Sequence, residues 1–187
     1  MYIFSLDIET SSDDINGSLL SIAVIDIHEC KKILYAEAKH RKGLFIKPKS
    51  MLVNKISMEE LDDKSKRTLD EIDKDLFKLI PMGTIALGRN PQFDLSFIKK
   101  DLPRTFERFS YRILDLNSYA VGIALGLELD YEIFKKAAYE YADNMMKVYL
   151  EKEALILTHH NALYDAQHNV YYLDFLNSTL RIIKKGG

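Results

Sequence analysis

MYIFSLDIET, residues 1–10, reads as a buried strand that ends on two carboxylates, Asp7 and Glu9, two positions apart. Successive side chains on a strand point to opposite faces, so Phe4, Leu6 and Ile8 share one face while Ile3, Ser5, Asp7 and Glu9 share the other. Two acids side by side on an apolar strand repel unless a positive charge lies between them. A divalent metal meets that need, because hard cations take carboxylate oxygens and a double charge offsets both desolvation and mutual repulsion. The pair alone leaves a second reading open. The strand frays here and both acids are solvated at the start of a loop, which the following Thr10-Ser11-Ser12-Asp13-Asp14 supports.

Outward from this strand the chain continues as strands. A turn around Asn16-Gly17 leads to LLSIAVIDI (19–27), then KILYAEAKH (32–40) and LFIKP (44–48), each rich in β-branched and apolar residues and separated by turns at Cys30-Lys31-Lys32 and Arg41-Lys42-Gly43. This predicts an antiparallel meander with the first strand as a member. From Ser57 the pattern becomes helical. SMEELDD (57–63) has Ser57 and Glu60 at capping-box spacing, and TLDEIDKDLFKLI (68–80) repeats Leu69, Ile72, Leu76, Leu79 and Ile80 at helical intervals until Pro81 and Gly83 end it. TIALGRN (84–90) reads as a strand, FDLSFIKKDL (93–102) as a helix with Phe93, Phe97 and Ile98 inward, RILDL (112–116) as a strand and LNSYAVGIALG (116–126) as a helix. A long amphipathic helix is expected from about Tyr131 to Leu150, with Phe134, Ala138, Tyr141, Met145 and Val148 inward. A last helix starts near Asn161 and turns Leu163, Ala166, Val170, Leu173 and Leu176 inward. Strands first, then alternating helices and strands, make an α/β fold, a mixed β-sheet flanked by α-helices.

Composition bounds the function classes. With 187 residues, 47% hydrophobic and 29% charged, the chain is expected to form one globular domain over 1–187. No apolar run is long enough to cross a membrane, and the N-terminus lacks a signal-peptide pattern, so a soluble, cytoplasmic protein with no membrane partner is expected. The single cysteine, Cys30, forms no internal disulfide and no Cys-based zinc site, in keeping with a reducing compartment. A net charge of −2 does not announce nucleic-acid binding, although metals held by clustered acids add positive charge that the formal count omits.

Two later clusters extend the chemistry of Asp7. GRNPQFD places Asp94 after a strand at the start of a helix, and HHNALYD places His160 five residues before Asp165 at another helix start. Singly, Asp94 reads equally well as a helix cap and Asp165 as an acid on a solvated face. Together they form an ordered set: Asp-x-Glu on the first strand, a central Asn-x-x-Phe-Asp, and His-x-Ala-x-x-Asp near the C-terminus.

On LDIET, RNPQFD and HNALYDA, in that order, the chain resembles the DEDDh exonucleases of the ribonuclease-H-like superfamily, a family that includes the proofreading subunit of bacterial DNA polymerase III, ribonuclease T and oligoribonuclease. KISMEEL and YRILDLNS are weaker echoes between the motifs. Arg89 stands where the second motif usually has His. The resemblance implies a ribonuclease-H-like sheet and a metal-dependent 3′–5′ exonuclease that hydrolyses single-stranded RNA or DNA from the 3′ end. It implies two Mg²⁺ or Mn²⁺ ions about 3.5 to 4 Å apart. Asp7 would bridge both ions, Glu9 and Asp165 would complete the site of the ion carrying the attacking water, and Asp94 would hold the second. His160 would be the general base, chosen over His159 by register. Thr10 would contact the terminal nucleotide, and Asn90 and Phe93 would shape the site, with core packing the competing role for Phe93. By the same resemblance a homodimer is expected.

Lys39, His40, Arg41, Lys42, Lys47 and Lys49 form a basic stretch suited either to a nucleic-acid backbone or to solubility and protection of a sheet edge. Two alternatives to the exonuclease come from other classes. A haloacid-dehalogenase-like phosphatase also ends its first strand on Asp-x-Asp-x-Thr, but here Glu9 replaces the second Asp, and His160 and Asp165 would have no task. A catalytically silent binding module of the exonuclease fold would have no need of all five residues.

Overall fold

The computed structural model of the chain describes residues 1–61 and 63–186, with side chains as far as Ile183. Five strands, β1 (Ile3–Thr10), β2 (Leu19–Asp26), β3 (Lys31–Glu37), β4 (Thr84–Gly88) and β5 (Phe109–Asp115), form one sheet in the order β3-β2-β1-β4-β5. β1, β2 and β3 pair antiparallel, whereas β1, β4 and β5 pair parallel. The helices are α1 (Pro48–Asn54), α2 (Met58–Leu61), α3 (Leu69–Leu79), α4 (Pro91–Asp101), α5 (Pro103–Phe106), α6 (Leu116–Gly126), α7 (Tyr131–Glu153) and α8 (Ala162–Gly186). This is the expected α/β architecture, a mixed sheet flanked by helices.

The alternation in β1 divides the core between the two faces of the sheet. Phe4, Leu6 and Ile8 pack with Ile22 and Val24 of β2 under Ile72 and Leu76 of α3 and Leu95, Phe97 and Ile98 of α4. On the opposite face, Ala23 and Ile25 meet Ala162, Leu163, Ala166 and Val170 of α8. Asp7 lies opposite Ala23 in the β1–β2 register, so its side chain shares the α8 face. Ser5, fully buried two residues earlier, donates its hydroxyl to the carbonyl oxygen of Ala166 at 2.7 Å. That bond joins β1 to α8 one residue from Asp165. The predicted inner stripe of α8, Leu163 to Leu176, is buried throughout.

Caps set the helix starts. Thr68 accepts from the Glu71 amide while the Glu71 carboxylate accepts from the Thr68 amide, a complete capping box. Ser57 and Glu60 repeat that exchange ahead of α2, and Asp62 of the SMEELDD segment lies outside the described residues.

Two expectations are corrected. LFIKP is not a strand. Its amides are taken by the loop after β1, Phe45 donating to Asn16 and Lys47 to Ser11, and Pro48 opens α1, where a missing N–H costs nothing. The inner stripe of α7 is Phe134, Ala138, Ala142 and Met146, whereas Val148 is exposed and Tyr141 and Met145 lie at the margin. The alanines have no side chain beyond Cβ, so α7 can close tightly on α8. Phe134 and Ala138 belong to both stripes, and beyond them the expected Tyr141 and Met145 lie one position from the buried Ala142 and Met146.

Candidate active site

Four of the motif acids converge at one end of β1. Asp7 and Glu9 arrive on its α8 face, and Asp165 arrives in the first turn of α8, so that one oxygen from each of the three lies within 4.8 Å of the others. Asp94, in the first turn of α4, reaches the same strand by accepting the Ile8 amide on Oδ1 at 3.1 Å. A β-bulge between Glu9 and Thr10 breaks the register with β2 directly after the pair. Glu9, Asp94 and Asp165 are all buried.

Burial with so little compensation makes Asp7, Glu9 and Asp94 reluctant to ionise. Burial pushes the Asp7 carboxyl well above the usual range, and the charges of Asp94, Asp165 and Glu9 add to it, with Arg89 opposing. Glu9 is pushed up to about 8 by burial and then by Asp165 and Asp94. Asp94 is pushed up to about 8 by burial, against the amide bonds of its own residue and Ile8 and the charge of Arg89. Arg89 is the cation in this group. Its Nη2 lies 3.1 Å from Asp165 Oδ1, its Nε donates to Asn169 and its Nη1 to the Tyr139 hydroxyl. Burial disfavours the Arg89 charge, but Tyr139, Asp165 and Asp7 outweigh it and hold the guanidinium protonated. The donor set suits a divalent cation: hard carboxylate oxygens, close together, with more negative charge than one guanidinium neutralises.

The two adjacent histidines diverge. His160 has φ 63°, a left-handed conformation uncommon for a residue with a Cβ, and that geometry aims its amide at Asp165 Oδ2, 2.7 Å away. Its side chain borders a cavity of about 200 Å³ that also includes Glu9, Tyr35, Lys55 and Asn161. His159 turns the other way. Its Nδ1 lies 3.3 Å from Asp165 Oδ1 and its Nε2 3.2 Å from Asp143 Oδ1 on α7. His168, two turns of α8 further in and fully buried, places Nε2 3.3 Å from the same Asp143 oxygen. Burial holds the His168 ring down at about 4, followed by the charge of Arg89, so the imidazole is neutral near pH 7.

The residues expected at the substrate lie at different depths. Thr10 is buried, donates its hydroxyl to the Ser12 carbonyl, and lines a second cavity of about 280 Å³ with Glu9, Phe93, Asn54, Lys47 and Lys49. Phe93 is partly buried against the core, so packing and cavity lining coexist in one side chain. Asn90 is exposed, caps α4 in the left-handed region at φ 67° and donates its amide to Asp115 Oδ2. The basic stretch divides. Lys47 and Lys49 border the Glu9 cavity, with Lys47 paired to Asp13, while Lys39, His40 and Arg41 line a separate hollow and Arg41 pairs with Asp101. Arg89, Tyr139, Asn169, Asp143, His159 and His168 had no part in the site read from sequence. Arg89 left a signal, as the residue that departs from the second motif, and so did His159, as the neighbour that register sets aside in favour of His160.

No protein-family model matches the sequence, and no curated protein matches it in sequence. Solved structures of exonuclease I do match in fold. The *E. coli* enzyme in complex with a dT13 oligonucleotide superposes with a TM-score of 0.65 at 16% identity, covering 98% of this chain and 43% of that one. A zinc-ion-bound form of the *E. coli* enzyme with single-stranded DNA gives 0.66 at 16% identity, over 95% and 40%. A moderately thermophilic exonuclease I from Methylocaldum szegediense gives 0.62 at 15%, over 96% and 43%. The chain thus spans about two-fifths of the length of these structures and shares their ribonuclease-H-like fold.

Proposed function

We propose that the chain is a metal-dependent 3′–5′ exonuclease of the DEDDh type, acting on single-stranded RNA or DNA and releasing nucleoside 5′-monophosphates. The observation that carries the reading is the convergence of Asp7, Glu9 and Asp165 within 4.8 Å, with Asp94 bonded to the strand between the first two. Three sequence motifs separated by most of the chain supply these acids. A phosphatase of the haloacid-dehalogenase type would use the first-strand pair and leave Asp94 and Asp165 without work. A silent binding module has no reason to hold Asp7, Glu9 and Asp94 in a state that resists ionisation.

Asp7, Glu9, Asp94 and Asp165 would hold two Mg²⁺ or Mn²⁺ ions. Bound there, the ions supply Lewis-acid stabilisation of phosphoryl oxygens and lower the pKa of an attacking water. His160 takes the proton from that water as general base, from the side of the cavity it shares with Glu9. Thr10, Phe93 and Asn54 bound the Glu9 cavity, where a terminal nucleotide can rest, and Lys47 and Lys49 offer charge to the backbone phosphates that follow. Asn90 stands outside that cavity and acts by starting α4, and so by placing Asp94. Self-association into a homodimer belongs to the same proposal; light scattering at twice 21.6 kDa supports it and a monomer mass refutes it.

The test is incubation with 5′-labelled single-stranded RNA and DNA of several lengths, with Mn²⁺ or with EDTA. A ladder that shortens from the 3′ end, lost in EDTA and in Asp7→Asn, supports the proposal. Full activity in either condition refutes it.

A further inference from the structure

We propose that Asp143, His159 and His168 form a second metal site, specific for a transition-series divalent ion of the Zn²⁺ class and separate from the carboxylate cluster. One donor atom from each lies within 4.8 Å of the others. The distances have a particular meaning. A tetrahedral Zn²⁺ with ligands about 2.0–2.1 Å away has ligand-to-ligand edges of about 3.3 Å. Asp143 Oδ1 lies 3.2 Å from His159 Nε2 and 3.3 Å from His168 Nε2, so two edges of that tetrahedron are already present.

An independent observation points the same way. His168 is fully buried and neither of its ring nitrogens has a hydrogen-bond partner among the described residues. The 3.3 Å approach of Nε2 to Asp143 is too poorly aligned to count as a hydrogen bond. A buried, unsatisfied imidazole destabilises the fold, and an ion held on Nε2 removes part of that cost.

The surroundings fit the role. His159 presents Nε2 to the site and Nδ1 to Asp165 Oδ1 at 3.3 Å, the carboxylate–histidine arrangement that fixes the tautomer of a metal-ligating imidazole. Tyr164 packs its ring 4.5 Å from that of His159 and stacks on that of His168, and Tyr139 packs its ring 5.6 Å from that of His168. His159 and Asp143 are 45% and 42% exposed, which leaves a path for an ion from solvent. Three protein donors leave one tetrahedral position open. Two imidazoles and one carboxylate favour Zn²⁺, Co²⁺ or similar ions, whereas the all-oxygen cluster of Asp7, Glu9 and Asp165 favours Mg²⁺ or Mn²⁺. The proposal goes beyond the nuclease reading and does not depend on it.

The test is equilibrium binding of Zn²⁺, and of Co²⁺ followed by its visible absorption, to the full chain in excess Mg²⁺. The expected result is one Zn²⁺ that Mg²⁺ does not displace and an intense tetrahedral Co²⁺ spectrum. Losing even an outer-sphere partner costs about 10- to 100-fold in affinity, so Asp143→Asn and His159→Gln should each weaken binding by about 100-fold or more, while Asp7→Asn leaves it unchanged. Replacing the buried His168 risks the fold, so the test rests on the two half-exposed ligands. Absence of a retained Zn²⁺, its displacement by Mg²⁺, its loss in Asp7→Asn, or its persistence in both ligand variants would each overturn the proposal.

Discussion

Arg89 Nη2 lies 3.1 Å from Asp165 Oδ1, so a protein cation already sits against one of the four acids of the candidate site. Both side chains are largely buried, at 20% and 10% exposure, and the guanidinium is anchored on its far side by Tyr139 and Asn169. The pair partly neutralises a cluster that would otherwise be held together against its own repulsion. Arg89 and an incoming metal then compete for the same carboxylate. Arg89→Gln should bind Mn²⁺ more tightly and, without metal, be less stable by about 1–3 kcal/mol, the scale of a lost hydrogen bond to a charged group. Titration calorimetry and urea unfolding measure the two effects, and an unchanged or weaker Mn²⁺ affinity would show that no competition exists.

The raised carboxyls make the metal-free protein sensitive to pH. Glu9 and Asp94 are pushed up to about 8, and Asp7 is raised as well. In that window the folded state keeps protons that the unfolded chain has released. The contribution of these three groups to stability is therefore full below the ordinary carboxyl range and declines as pH rises from about 4 to about 8, by about 1.4 kcal/mol per pH unit for each proton of difference. Saturating Mg²⁺ should cancel the decline, because the ion favours the ionised acids. Melting curves in EDTA and in Mg²⁺ across this range would reveal it. A metal-free melting temperature that climbs with pH would contradict the assignment.

Ser5 ties the strand to the helix that carries Asp165, through its 2.7 Å bond to the Ala166 carbonyl. Ser5→Ala leaves that buried carbonyl without its hydroxyl donor. The expected cost is about 1–3 kcal/mol of stability, with weaker divalent-metal affinity, since Asp165 loses the bond that sets its distance from Asp7. Ser5→Thr, which keeps the hydroxyl but must fit an added methyl, should retain more of the metal affinity than Ser5→Ala. Equal losses in both variants would place the effect in packing alone.

His160 and His159 differ in what their side chains face, the Glu9 cavity for one and Asp143 with Asp165 for the other. In Mg²⁺, His160→Ala should lower the hydrolysis rate by about 10²- to 10⁴-fold and flatten its pH dependence near neutrality, the scale of a lost general base. His159→Ala should cost far less. The pair of pH–rate profiles at saturating metal separates them, and a crippled His159 variant beside a near-normal His160 variant would move the base by one residue.

The sequence by itself determined the sheet, most of the helices and the identity of the acids. Alternation in MYIFSLDIE assigned Asp7 and Glu9 to one face of a strand, and α8 faces that side with the stripe its periodicity predicted. These patterns are local, because strand pleat and helix pitch repeat within a few residues. LFIKP failed as a strand because its amides are claimed by residues some thirty positions away, which no window over 44–48 contains. The expected face of α7 holds as far as Ala138 and then departs from the observed one, because the fit to α8 continues through Ala142, a residue too small to stand out in a hydrophobic pattern. Arg89 against Asp165, and Asp143 between His159 and His168, were decided only in three dimensions. Each joins side chains from separate elements whose spacing along the chain carries no period, so only the packing of β4, α7 and α8 around the end of β1 could bring them together.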